Sequence, residues 1–319
     1  MSILVLGAGE LGIAMLKGLI SHPSRPQNSS VTVLIRQVTK KSGSEAKNKQ
    51  IDEIKALGVG IEFADIVFKT VPQLGDIFRK YDTIISCLGF VGPSETQRRI
   101  CAAVLKVKVR RFIPWQFGVD YDVIGRGSPQ PLFDEQLDVR DMLRSQSHTE
   151  WIVLSTGLFT SFLFVKDFGV VDFEQKKLRA LGSWDDEITL TGPEDIARMT
   201  AEVLFDPRGI PGNGRNVVYI AGDTVSYARI AECVEKRFPE VKFTREEWNR
   251  ELLKENLEKD EYNRWSQYRA IFGSGKGIAW PLEVTLNYER GIQLTDLETW
   301  LRNMETPDVL KAQKALKEE

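Results

Sequence analysis

The stretch "VLGAGELG" places Gly7, Gly9 and Gly12 in a GxGxxG spacing near the start of the chain. Between a strand and a helix, three glycines so spaced suit one task. The first permits a tight turn, the second lets backbone approach a pyrophosphate, and the third lets helix pack closely on strand, while the helix N-terminus favours the anion. Glu10 and Leu11 fall inside the same turn and belong to the same expected site. The second strand ends in "VLIRQ", so Arg36 stands where an acidic residue would hydrogen-bond a ribose; a planar cation there suits a 2′-phosphate and points to NADP(H). Lys40, Lys41 and Lys47 either add charge to that phosphate site or form a solvated basic loop.

Cys87, Leu88 and Gly89 follow the fourth strand, where backbone would run beside the cofactor. With no histidine near it in sequence, Cys87 reads as a small buried side chain and not as a nucleophile. Pro114, Trp115, Gln116 and Phe117 in "FIPWQFGVDYD" leave the carboxyl end of the fifth strand, the edge at which open parallel sheets bind ligands, and are placed to touch a nicotinamide or a planar substrate. Leu158, Phe159 and Phe162 of "STGLFTSFLF", with Trp184 of "LGSWDDE", would line an apolar pocket for a bulky aromatic or polycyclic molecule; ordinary core packing is the competing use of the same residues. Ser86, Ser155 and Thr156 have no plausible histidine partner for a hydrolytic triad. Tyr121 lacks the lysine four residues later that a typical short-chain dehydrogenase shows, since Gly125 stands there.

These residues need a scaffold. The apolar runs "ILVL", "VTVLI" and "TIIS" alternate with helical spacings such as "ELGIAMLKGLI", "VPQLGDIF" and "SETQRRICAAVL", the pattern of a parallel sheet covered on both faces. The expected fold is therefore α/β: a Rossmann-type doubly wound parallel sheet over residues 1–155, followed by a smaller, mixed α/β substrate-binding region over 156–319, some of whose segments return to the first. From "SYARIAECVEKRF" to "LTDLETWLRNM" the pattern reads mainly as helices.

Composition narrows the function classes. Of 319 residues, 42% are hydrophobic and 28% charged, enough for a sizeable core. A net charge of -2 offers no basic field for nucleic acid. Three scattered cysteines without CxxC spacing and two histidines argue against a disulfide framework or a metal site. No apolar run of membrane-spanning length and no secretory leader is evident, so a cytoplasmic protein without membrane partners is expected; a homodimer stays open.

Taken together, the N-terminal GxGxxG, Arg36, "RRFIPWQFG", "WIVLSTGLFTSF", "ITLTGPEDIARMTAEVL" and "LTDLETWLR" resemble the atypical short-chain reductases of the NmrA-like and isoflavone reductase type, over nearly the whole chain. "PWQFGVDYD" and "FDEQLDVRD" are similar to fungal members, many of which serve secondary metabolism. The resemblance implies a Rossmann domain, NADPH, and a substrate cleft shared with the C-terminal region. Relatives carry a Pro-Ser-Glu-Phe-Gly type segment where "PWQFG" stands, and a lysine on the next helix that acts as general acid or base. Matching "VRDML" to the corresponding segment puts Gln136 at the lysine's position.

Gln136 can orient a group but has no titratable proton. Three readings follow. The hydride acceptor is already cationic or relays its own proton; or Asp120, Asp122, Tyr121, Asp134 or Glu135 supplies one; or the protein is an NADP-binding redox-sensing regulator without turnover. The expectation is an NADPH-dependent reductase of an aromatic or alkaloid-like imine, iminium, enone or carbonyl, with Gln136, Trp115, Tyr121 and Asp120 as the reacting-centre residues; a cofactor-templated cyclase is the variant within the enzyme class.

Overall fold

Runs such as Ile3–Leu6 have no polar face, so they fit only a sheet covered on both sides. The structure, a computed structural model, describes residues 1–37, 45–89, 92–208, 210 and 216–305, without the side chains of 45–47 and 132. The chain runs β1 (Ser2–Leu6), α1 (Glu10–Ser21), β2 (Ser30–Ile35), α2 (Glu45–Ala56), β3 (Gly60–Phe63), α3 (Val71–Phe78), β4 (Thr83–Ser86), α4 (Thr96–Lys106) and β5 (Arg111–Ile113). There follow α5 (Tyr121–Ile124), α6 (Pro131–Arg144), β6 (Glu150–Trp151), β7 (Val153–Ser155), β8 (Leu158–Phe159), β9 (Val171–Asp172), β10 (Lys177–Leu181), β11 (Glu187–Thr191) and α7 (Pro193–Phe205). The last elements described are β12 (Val217–Tyr219), β13 (Asp223–Ser226), α8 (Tyr227–Arg237), β14 (Thr244–Trp248), α9 (Arg250–Lys259), α10 (Arg264–Phe272), α11 (Leu286–Glu289) and α12 (Leu297–Asn303).

Six strands form one parallel sheet in the order β3-β2-β1-β4-β5-β6. Strand order reverses between β1 and β4, where Leu6 stands opposite both Leu34 and Ser86, and this is the topological switch point at which doubly wound sheets bind ligands. Leu4, Leu6, Ile84 and Phe112 pack on one face with Leu74, Phe78, Val104 and Val139 of α3, α4 and α6. Ile3 and Val5, which alternate to the other face, are equally buried.

Contacts divide the chain into two compact units that do not follow chain order. The first takes Met1–Phe117, Leu132–Ser155 and Pro193–Val218; the second takes Gly118–Pro131, Thr156–Gly192 and the chain from Tyr219. Helix α7 thus belongs to the first unit, where it packs on α1 at Gly18 and Ala197. A Cβ on Gly18 would lie 3.0 Å from the Ala197 backbone, a contact so tight that any larger residue would press the two helices apart. His22 Nε2 reinforces the pair through a 2.8 Å hydrogen bond to Glu202, donated from this nitrogen because Nδ1 accepts from the Ser24 N–H. Gly18→Leu should therefore lower the denaturant midpoint, by about 2–3 kcal/mol of unfolding free energy, as overpacking a close helix contact does.

In the second unit β9 and β10 pair antiparallel within "VVDFEQKKLRAL", and β8, β11 and β13 form another sheet. One strand departs from the helical expectation for this region. β14, "TREEW", pairs parallel with β10, and its Glu246 accepts from Lys177 and Arg179 at 3.1 Å. Charged side chains hide this strand in the sequence; cross-strand ion pairs available only after folding hold it. Among the described residues no helix is long and apolar enough to cross a membrane.

Candidate functional site

β1 ends at Leu6, and Gly7 turns the chain with φ +91°, a left-handed conformation that favours glycine. Its N–H still bonds Leu34 O at 3.0 Å, so the turn is anchored to β2. A Cβ on Gly12 would stand 2.3 Å from the Gly7 carbonyl oxygen, which is the close packing of helix on turn. Gly9 differs from both. Its backbone, φ -69° and ψ -165°, suits any residue, and a Cβ there would meet nothing within 4 Å. Neither strain nor packing explains this glycine; open space at the N-terminus of α1 does. Gly9 has no side chain with which to cap that end, and the N–H groups of the first helical turn are the donors an anion there would use.

The space belongs to a cavity of about 300 Å³ lined by Gly7, Gly9, Arg36, Asp65, Cys87 and Thr96, among others. Ala8 is held from the side by Gln50 of α2, whose Nε2 donates to the Ala8 carbonyl at 2.5 Å. Arg36 is exposed, free to reach a phosphate at the wall. Asp65 accepts the Val67 N–H at 3.0 Å as it enters a short 3-10 turn. Burial pushes the Cys87 thiol far above the usual range, so it stays a neutral thiol and a poor nucleophile. Lys40 and Lys41, and the side chain of Lys47, lie outside the described residues.

After β5, Pro114 is buried and the Trp115 indole lies on Gly89, 3.6 Å from where a Cβ would be. Trp115 meets Phe117 edge-on at 6.0 Å between ring centroids. Gln116 is wholly buried and bridges to α6: its Nε2 donates to the Gln136 carbonyl at 2.8 Å, and its Oε1 accepts from Arg140 Nε at 2.7 Å. On the same helix, Glu135 Oε1 accepts the N–H groups of Gln97 (2.8 Å) and Arg98 (3.2 Å). Gln136 has no exposed surface, and neither atom of its side-chain amide has a hydrogen-bond partner among the described residues. Trp115 and Gln136 are not among the residues that line the cavity, whereas Leu88 and Thr96 are.

A sequence profile of the NmrA-like family matches residues 1–291. The chain belongs to the NmrA-like family. An NmrA-like family domain-containing oxidoreductase of Gibberella moniliformis is 50% identical over 303 residues, 95% of this chain and 98% of that protein. An isoflavone reductase homologue of Arabidopsis thaliana is 25% identical over 74% of each chain. Among solved structures, isoflavone reductase superposes with a TM-score of 0.74 at 17% identity, covering 94% of this chain and 98% of that one. The leucoanthocyanidin reductase–NADPH complex of Vitis vinifera gives 0.74 at 16%, over 95% and 98%. At these identities the structures establish a shared fold.

In this NmrA-like chain the remaining expected site residues fall in the second unit. Asp120 caps α5, its Oδ1 accepting from Asp122 and Val123 N–H and its Oδ2 from the Tyr219 hydroxyl at 2.5 Å. Tyr121 is buried beside it. Leu158 is buried in β8 and Phe159 half-buried. Phe162 packs in an aromatic cluster with Phe168, Trp265 and Tyr268 at 5.0–5.9 Å, and Trp184 carries the Arg245 guanidinium at 5.6 Å. Gln50, Asp65, Thr96 and Gln97 escaped the sequence reading. Asp65 follows β3 as Arg36 follows β2, a position the strand-end rule could have flagged; Gln50 and Gln97 carry no such signal.

Proposed function

We propose that this NmrA-like protein is an NADPH-dependent reductase of an aromatic or polycyclic, alkaloid-like small molecule in fungal secondary metabolism. The observation that carries the reading is the open Gly9 position above the uncapped N-terminus of α1, in one cavity with Arg36. The Gly7–Gly9 turn and the first N–H groups of α1 would hold the pyrophosphate, and Arg36 the 2′-phosphate. Bound NADPH supplies a hydride for an electrophilic carbon. The 50% identical fungal oxidoreductase and the NADPH complex of a protein with the same fold support this reading.

Gln136 stands where the resemblance expects a lysine; it has no titratable proton, and its side chain is wholly buried and does not line the cavity, so it supplies no acid. Glu135 is engaged as an acceptor by two backbone N–H groups, and the Asp120 oxygens are engaged by α5 and Tyr219. An iminium fits best: hydride addition to its carbon moves the C=N electron pair onto nitrogen and gives a neutral amine with no proton added.

Calorimetry with NADPH and NADH is the first test. Tighter NADPH binding is expected, with Arg36→Ala costing about 10-fold or more for NADPH and little for NADH, the scale of one charge-assisted contact. A simple dihydroisoquinolinium should then be reduced faster than its neutral carbonyl analogue. Tight NADPH binding without turnover of iminium, enone or carbonyl probes would overturn the enzyme and favour a nucleotide sensor.

A further inference from the structure

Gly89 continues the chain directly from Cys87 and Leu88 of the cavity wall, and its carbonyl accepts from Gln97 Nε2 at 2.7 Å. The Gln97 backbone N–H in turn donates to Glu135. One residue along α6, the Gln136 carbonyl is held by Gln116, and Trp115, next to Gln116, lies back on Gly89. The contacts therefore close a ring through Gly89, Gln97, Glu135, Gln136, Gln116 and Trp115, all within the first unit. Helix α4 has no side-chain cap from its own N-cap residue, Glu95; its first turn is capped instead by a carboxylate 38 positions beyond Gln97. Such a bond does more than stabilise one helix end, because it fixes the distance between α6 and the turn after β4.

We propose that Glu135 is a positioning residue: acting through Gln97, it holds the Gly89 turn, and with it the nicotinamide half of the cofactor, in fixed relation to Gln136 and Trp115. The physical case is a division of labour. Affinity resides in the phosphate contacts around Gly9 and Arg36, whereas the turn after β4 carries no charge and can only set where the ring rests. Glu135 serves by geometry, as an acceptor for two N–H groups, so a neutral acceptor of the same shape should replace it. The inference rests on the NADPH reading above.

The test uses the full chain with NADPH alone and needs no substrate. Glu135→Ala, Glu135→Gln and Gln97→Met are compared by calorimetry, by thermal unfolding, and by the change in dihydronicotinamide fluorescence on binding. Glu135→Ala and Gln97→Met should bind NADPH within about threefold of the parent, since the adenosine contacts persist. They should nevertheless lose most of the parent's fluorescence change, and Glu135→Gln should restore it. Parent-like fluorescence in both would overturn the proposal; so would affinity, fluorescence and melting temperature falling together, the mark of a cap alone. If Glu135→Ala fails to fold, Gln97→Met decides, because it keeps the cap and breaks only the bond to Gly89. A parent that does not bind NADPH would sink the functional reading as well, whereas a parent that binds with unaltered variants sinks only this one.

Discussion

A Gly9→Asp variant is expected to keep or raise its melting temperature and to lose NADPH binding by about 100-fold or more, because the new carboxylate occupies the space and the N–H groups that a pyrophosphate would use. The backbone at Gly9 is extended and a Cβ there meets nothing, so the fold offers no resistance. Aspartate is a favoured N-cap, worth about a few tenths of a kcal/mol over the glycine it replaces. Gly12→Ala should behave oppositely. Its Cβ would press to 2.3 Å on a backbone oxygen that cannot step aside, and a loss of about 2–4 kcal/mol of stability is expected, with binding falling as a consequence. Calorimetry for NADPH beside urea unfolding separates the two. Undiminished NADPH binding by a folded Gly9→Asp protein would remove the cofactor from this cavity.

Gln136 yields the second large effect. A side-chain amide with both atoms buried and unpartnered costs about 1–3 kcal/mol, the desolvation left uncompensated. Gln136→Met keeps the length and flexibility of the side chain and removes that penalty, so the variant should gain about 1–3 kcal/mol of unfolding free energy. Gln136→Lys should go the other way on stability, since it buries an ammonium at a position where the amide has no partner among the described residues, at about 3 kcal/mol or more near neutral pH. Raising the pH should recover part of that loss, because a buried amine is held neutral more easily. Unfolding at two pH values measures both effects. A Gln136→Met protein that is destabilised and fully active would show the amide to be ordinary packing.

The local rules carried far in the first unit. β1 and β2 are legible because uninterrupted apolar runs have no solvated face to offer, and the turn between β1 and α1 because only glycine tolerates φ +91° at Gly7 and a 2.3 Å neighbour at Gly12. Arg36 followed from strand order alone. The family resemblance added the lysine position, which no periodicity reveals, and so made Gln136 a question. β14 was not legible, since its glutamates and arginine look like a solvated helix until Lys177 and Arg179 come alongside.

What the sequence by itself determined is the Rossmann sheet, its glycine turn and the cation at the end of β2, all set by neighbours a few residues apart. Tertiary structure alone decided that α7 returns to α1 through Gly18, that Glu135 caps a helix 38 positions earlier in the chain, and that the Gln136 amide is sealed away without a partner among the described residues. The reason is physical. Strand and turn preferences act through local sterics and patterning, whereas close helix contacts, long-range caps and buried polar groups depend on which distant atoms the fold brings within 3 Å or so.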